Sequence, residues 1–234
     1  MKAVKRVYER ADVAAAREGY AVALDGRAVK TPGRRPLVLP TAALAEAVAA
    51  EWRAQADEVR PETMPLTRLA ATAIDRVAEV RAKVVGEVAG YAAADLVCHR
   101  AAAPPELAAR QAAGWQPLLD WLDERHGARL AATDGLIALD QPTEALAALR
   151  AAVESFDDFA LAALHAVTSA CGSLVIALAL AGERIDAGEA WALSEIDESF
   201  QIERWGEDDE AARRRARLRD EVRAAARFLA LSRG

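Results

Sequence analysis

From Thr41 onward, apolar residues return every third or fourth position, a period that admits helices and little else. In AALAEAVAAEWRAQ the stripe is Leu44, Ala45, Val48 and Trp52, and Thr41 is placed to act as N-cap. Alanine fills roughly a quarter of the chain, and its helix propensity, the highest of any residue, favours helices wherever the pattern permits. Pro61 and Pro65 set off a connector, after which Leu69, Ala70, Ala73, Ile74 and Val77 predict a helix over Leu66–Val77. Val80, Val84, Val88 and Tyr91 continue another apolar stripe. Pro104-Pro105 interrupts, and a long helix over Glu106–His126 turns Leu107, Trp115, Leu118, Leu119 and Leu122 to one side. Asp134-Gly135 is the next break. Pro142 suits a helix start, and helices are predicted over Thr143–Ser155, Asp158–Thr168 and Cys171–Ala181, the last stopped by Gly182. Asp186 and Glu189 have capping-box spacing, so a helix begins near Ala187 and runs to about Arg204. Trp205-Gly206 ends it before a last helix over Glu207–Leu231.

The first forty residues read differently. Short runs at Val4–Tyr8, Tyr20–Leu24, Ala28–Thr31 and Leu37–Leu39 are separated by turn signals at Glu18-Gly19, Asp25-Gly26 and Pro32-Gly33. Asp25-Gly26 is the best hairpin signal, because both residues tolerate the positive φ of a type I′ turn. So short a meander buries little alone and has to lie against helices. The expected fold is α+β and mostly α: a small antiparallel β part over residues 1–40 packed on a larger multihelical domain over 41–234.

Net charge is −6 and the isoelectric point is near 5.3, so no positive field draws the chain to phosphate backbones or anionic membranes. The one basic run, RRRARLR over Arg213–Arg219, follows the acidic Glu207–Glu210 and reads as a helix face paired with its neighbours. Cys98 and Cys171 sit in apolar, helical surroundings, which fits a reducing compartment. The N-terminus lacks the apolar stretch of a secretory signal. The longest apolar run, Leu174–Ala181, falls short of the ~20 residues a membrane helix needs and reads as a core helix.

The chain holds few of the constellations that carry chemistry. His99, His126, His165 and the two cysteines form no CxxC or HxxxH spacing, so no metal is expected. Ser173 in ACGSLV lacks the second glycine of a nucleophile elbow and reads as a core helix residue. No glycine-rich phosphate loop is present. The expectation is a protein that is not an enzyme and needs no cofactor.

The informative segment is AWALSEIDESFQIERWGEDDEA, residues 190–211. Leu193, Ile196 and Phe200 share the expected core face. Trp191, Glu195, Glu198, Ile202 and Trp205 form a second stripe on the other side, which a plain solvent face would not carry. Either the helix is buried on both sides, with Glu195 and Glu198 paired to arginines of the last helix, or part of the stripe is a docking patch where carboxylates lie between tryptophans. Trp52 reads as core packing or as support for such a surface.

Three segments, YAVALDGRAVKTPGRRPLVLPTAALAEAVAAEWRAQ, TMPLTRLAATAIDRV and FQIERWG, resemble in sequence and order the ATP-twelve family of F1-ATPase assembly chaperones. The match spans nearly the whole chain, and the DGR-x-V-x-TP, LPT, EW-x-x-Q, MPLT and WG motifs answer no general structural need. The resemblance implies a monomeric protein without cofactor that binds the free α subunit of the F1 sector, covers the surface β later occupies, and leaves when β arrives. It points to Glu198, Phe200, Gln201 and Trp205 as partner-binding residues, with Trp52 as scaffold. Asp197 and Glu195 are near enough to share the acidic role, and the stripe adds Trp191. It implies no nucleic acid, no membrane insertion, and a bacterial cytoplasmic location, or the mitochondrial matrix for a processed eukaryotic form. The alternative is a general adaptor or scaffold with a different client.

Overall fold

The computed structural model describes residues 4–134 and 139–233, so part of the Asp134-Gly135 break lies outside the described residues. Turn residues divide the N-terminal sequence into β1 (Val4–Lys5), β2 (Ala11–Ala16), β3 (Gly19–Leu24), β4 (Arg27–Ala28) and β5 (Val38–Leu39). The strands give way at Pro40-Thr41 to α1 (Ala42–Arg53), followed by a short β6 (Glu58–Val59), α2 (Pro65–Thr72) and α3 (Ala78–Gly90). Then come α4 (Pro105–His126), α5 (Thr143–Glu154), α6 (Asp158–Cys171), α7 (Leu174–Ala181), α8 (Ala187–Ser194), α9 (Ile196–Trp205) and α10 (Asp209–Ser232). This is a mostly helical α+β chain. It groups into two compact units: Met1–Arg81 with Asp157–Ala163 and Arg227–Gly234, and Ala82–Phe156 with Leu164–Ala226.

In the first unit β3 is the central strand. It pairs antiparallel with β2 along its length, from Ala11↔Leu24 to Ala16↔Gly19, and on its other side with β4 and β5. Asp25 and Gly26 take φ of 48° and 79° at the β3–β4 turn, as a type I′ hairpin requires. The ladder of β2 was not expected, because ADVAAA has little strand propensity; its register against β3 and the burial of Ala11 override that local preference. Helix α1 packs on β2 and β3 and buries Leu44, Ala45, Val48 and Ala49 completely. Thr41 caps it, its hydroxyl oxygen accepting from the Leu44 N–H at 3.1 Å.

The motifs that answered no general need in the sequence are fastenings between these elements. The Glu51 carboxylate accepts from the Leu66 and Thr67 N–H groups, both at 2.8 Å, and from the Thr67 hydroxyl at 2.7 Å. It thereby caps α2, which has no side-chain cap of its own. Buried Gln55 donates to Thr63 and to the Glu51 carbonyl and accepts from the Arg60 N–H, so EW-x-x-Q and MPLT fix one another. Between α2 and α3 the helix widens into a π segment over Ala73–Val77, which presents Asp75 to the Thr31 hydroxyl at 2.6 Å and the Gly33 N–H at 2.7 Å. A Cβ on Gly33 would lie 2.6 Å from the Asp75 carboxylate, so glycine is needed there. Glu51→Ala should cost about 1–2 kcal/mol in chemical denaturation, the range of a lost helix cap, whereas Glu62→Ala at a neighbouring exposed site should leave the midpoint nearly unchanged.

The expected Leu66–Val77 helix is therefore α2 plus the π segment. Val80, at φ −126° and ψ 36°, kinks the following helix and is 39% exposed, while Val84 and Val88 of the same predicted stripe are buried. In the second unit, α7 is buried on every side and packs against α4 and α8. Its start differs from the expected Cys171–Ala181: α6 ends at Cys171, Gly172 turns at φ 65°, and Ser173 lies outside α7 as its N-cap, accepting from the Ile176 N–H. Fully buried Asp95 accepts from the Ser173 hydroxyl and from the N–H groups of Leu174 at 2.7 Å, Val175 at 3.1 Å and Val97 at 3.3 Å. Among the described residues no helix is long and apolar enough to cross a membrane.

Candidate functional site

The expected single helix from Ala187 to Arg204 is two helices. The capping box forms as read, Asp186 accepting from the Glu189 N–H and Glu189 from the Asp186 N–H, both at 2.8 Å. At Glu195, however, the backbone turns to φ −107° and ψ 17°. Two residues earlier the Trp115 indole of α4 donates to the Leu193 carbonyl at 2.8 Å, giving that group a partner outside its own helix. Gly114 allows the approach, since a Cβ there would come within 2.8 Å of Leu193 and 3.0 Å of Ile196. The break changes the phase of the helix, so the second stripe does not continue as one face.

Its members separate accordingly. Trp191 is buried. Glu195 has a side chain only 16% exposed and is paired with Arg215 of α10, which also donates to Glu207 at 2.9 Å and to the Ser199 hydroxyl at 3.4 Å. Burial works against the Arg215 charge, but the hydrogen bonds and charges of Glu195 and Glu207 together raise its pKa above the ordinary arginine value. The ion pair expected of a twice-buried helix is thus made by Glu195 and not by Glu198, which is exposed. Within the basic run, Arg215 pairs with acidic Glu207 as anticipated and with Glu195 in addition.

Phe200 is buried between two guanidinium groups, Arg204 at 4.1 Å and Arg110 at 5.3 Å from the ring centroid. Arg110 in turn bonds Glu203 at 2.8 Å, a contact that lowers the Glu203 pKa, and Arg204 lies 3.8 Å from Glu106. Gln111, 1% exposed, holds Asp197. These contacts fix α9 against α4 and leave Glu198, Gln201 and Trp205 exposed at positions i, i+3 and i+7, one face of α9. Trp205 is 76% exposed at the end of the helix, before Gly206 at φ 82°. The clamp around Phe200 was not legible in the sequence, because Arg110 is 90 residues away and exposed arginines are common; the FQIERW string itself carried the only signal.

Trp52, in the first unit, is half-buried, with Tyr8 edge-on at 5.8 Å and the Tyr8 hydroxyl donating to the Trp52 carbonyl at 2.6 Å. Its indole N–H is buried and has no acceptor among the described residues. Cys98 and Cys171 are buried, and burial pushes their thiols up to about 12 and about 11, so neither is a thiolate near neutral pH. Burial lowers the His126 pKa. Among the described residues no three or more His, Cys, Asp and Glu side chains converge. The arrangement that stands out is a rigidly backed, solvent-facing Trp beside a carboxylate and an amide, which suits contact with another protein.

Comparison with known proteins agrees with the motifs. Residues 5–123 match the family model described as ATP12 chaperone protein. The chain is 26% identical over 205 residues to the mitochondrial protein atp12 of Schizosaccharomyces pombe, covering 81% of this chain and 69% of that protein. Its fold superposes on the crystal structure of Atp12 from Paracoccus denitrificans with a TM-score of 0.94 at 43% identity, covering 98% of this chain and 99% of the other. A mutant of the Paracoccus protein gives the same TM-score and identity, with 98% of both chains covered. The chain belongs to the ATP12 chaperone family, the F1-ATPase assembly chaperones that its three motif segments resemble.

Proposed function

We propose that this chaperone holds the free α subunit of the F1 sector, shields the surface that β will occupy, and is displaced when β arrives. The observation that carries the reading is the exposed face of α9, where Trp205 stands 76% open to solvent beside Glu198 and Gln201 while the rest of the segment is pinned down. An isolated surface Trp on a fixed backbone offers a large apolar area with little conformational entropy left to lose, the property that enriches Trp at binding hot spots. In this reading Glu195, Phe200 and Trp191 act from beneath: they set the position of the face and do not touch the client. Trp52 supports the first unit.

Binding of α without covalent chemistry protects it by mass action, in proportion to ligand concentration over Kd. Isolated α diluted from denaturant should scatter light as it aggregates, and an equimolar amount of this chain should suppress the scattering. Adding β should then release the chain into the free fraction on gel filtration. Aggregation that proceeds unchanged, or a complex that β cannot displace, contradicts the proposal.

A further inference from the structure

The first unit contains an apolar cleft of about 620 Å³ between the sheet side and the α1–α2 region, with Leu37, Met64, Val59 and Trp52 among its walls. Three cations stand around it: Lys30, Arg68 and Arg76 all line the cleft and are exposed. None of the three side chains makes a hydrogen bond or an ion pair among the described residues, although many other arginines of this chain are paired, including Arg53, Arg110, Arg129, Arg150 and Arg215. The one carboxylate on the lining, Asp75, is held by the Thr31 hydroxyl and the Gly33 N–H, so the cleft carries three cations against one carboxylate. In a chain of net charge −6 this is a concentrated positive rim on an apolar floor.

We infer that this cleft seats an extended segment of the client polypeptide, with an apolar side chain in the cleft against Trp52 and flanking carboxylates on Lys30, Arg68 and Arg76. The class of occupant follows from charge and shape. An apolar floor selects a Leu- or Phe-like anchor, and the unpaired cations select acidic neighbours. The inference rests on the client reading above for the source of the segment. It gives the Trp of the EW-x-x-Q motif a role in contact beyond that of scaffold.

The test uses the full chain labelled with ¹⁵N and a short peptide of alternating leucine and aspartate, with the lysine-for-aspartate peptide as counterpart. The Trp52 indole cross-peak is assigned by its absence in Trp52→Phe. The acidic peptide should move that peak in a saturable way and the basic peptide should not. The double variant Arg68→Glu/Arg76→Glu, at two exposed sites, should keep the folded spectrum and bind the acidic peptide at least about tenfold more weakly. The same variant should also lose affinity for isolated α. A Trp52 peak unmoved by the acidic peptide, equal binding of both peptides, or peaks that move with protein concentration alone, as a second copy in the cleft would cause, overturn the inference. If wild type holds α and the double variant holds it equally well, this inference fails while the client reading stands; if wild type does not hold α, the client reading itself has failed.

Discussion

Asp95→Ala should lower the unfolding free energy by about 3–5 kcal/mol, measured by urea denaturation at neutral pH, because several buried donors are left unmatched at about 1–3 kcal/mol each. The carboxylate is fully buried and accepts from four donors, three of them backbone N–H groups. Leu174 and Val175 are the first residues of α7, so Asp95 acts as a cap supplied from elsewhere in the chain, and the partial positive charge of the helix N-terminus adds to its pull. Alanine leaves these donors buried and unmatched at the start of the most enclosed helix of the second unit. Asparagine keeps one acceptor oxygen and should recover part of the loss.

The same residue gives a pH signature. Burial, the largest influence, pushes the Asp95 carboxyl up to about 6, against the hydrogen bonds that lower it. A folded-state pKa above the unfolded value means that the folded chain holds this proton more tightly. Its contribution to stability is therefore greatest below about pH 4 and falls as pH rises to about 6, beyond which it is constant. Other carboxylates titrate in this window, so the quantity to measure is the difference between wild type and Asp95→Asn. The stability of wild type relative to Asp95→Asn should decline between pH 4 and 6.

Trp205→Ala should weaken binding of the α subunit by about 2–3 kcal/mol, roughly 30- to 150-fold in Kd by titration calorimetry, the magnitude of an interface hot spot. Its unfolding free energy should stay within about 0.5 kcal/mol of wild type, since the side chain is 76% exposed. Glu198→Lys, on the same face, should weaken binding and also leave the fold intact. Phe200→Ala provides the contrast. It empties the space between Arg110 and Arg204 and should destabilise the protein, so any loss of binding there would follow loss of α9 from its place. If Trp205→Ala bound α as wild type does, the exposed face of α9 would not be the contact.

Much of this architecture was legible in the residues because local chemistry dictates it. The Asp25-Gly26 hairpin, the Thr41 cap, the Asp186–Glu189 capping box and the Gly182 stop each depend on side chains within a few residues of one another. What escaped depends on partners far along the chain. β2 exists because β3 pairs with it, α8 and α9 part at Glu195 where no proline or glycine warns of it, and Trp115 bonds Leu193 from 78 positions away. Ser173 looked like a core helix residue until Asp95, equally distant, made it part of a buried cap. The candidate site divided in the same way. Composition and period placed Trp191, Glu195, Glu198 and Trp205 on one stripe, but the break at Glu195, the Arg215 pairing and the two arginines around Phe200 decide which of them meet solvent. The motifs themselves were readable as a family signature before their physical work was visible. Glu51, Gln55, Asp75 and Gly33 have that work in fastening α1, α2 and the loop after β4 to one another.

The proposed client is the free α subunit. The most direct measurement is capture by the immobilised chain of isolated α and of isolated β, offered separately at equal concentration. Isolated α should be retained and β should pass through. Retention of β, or of neither subunit, would contradict it.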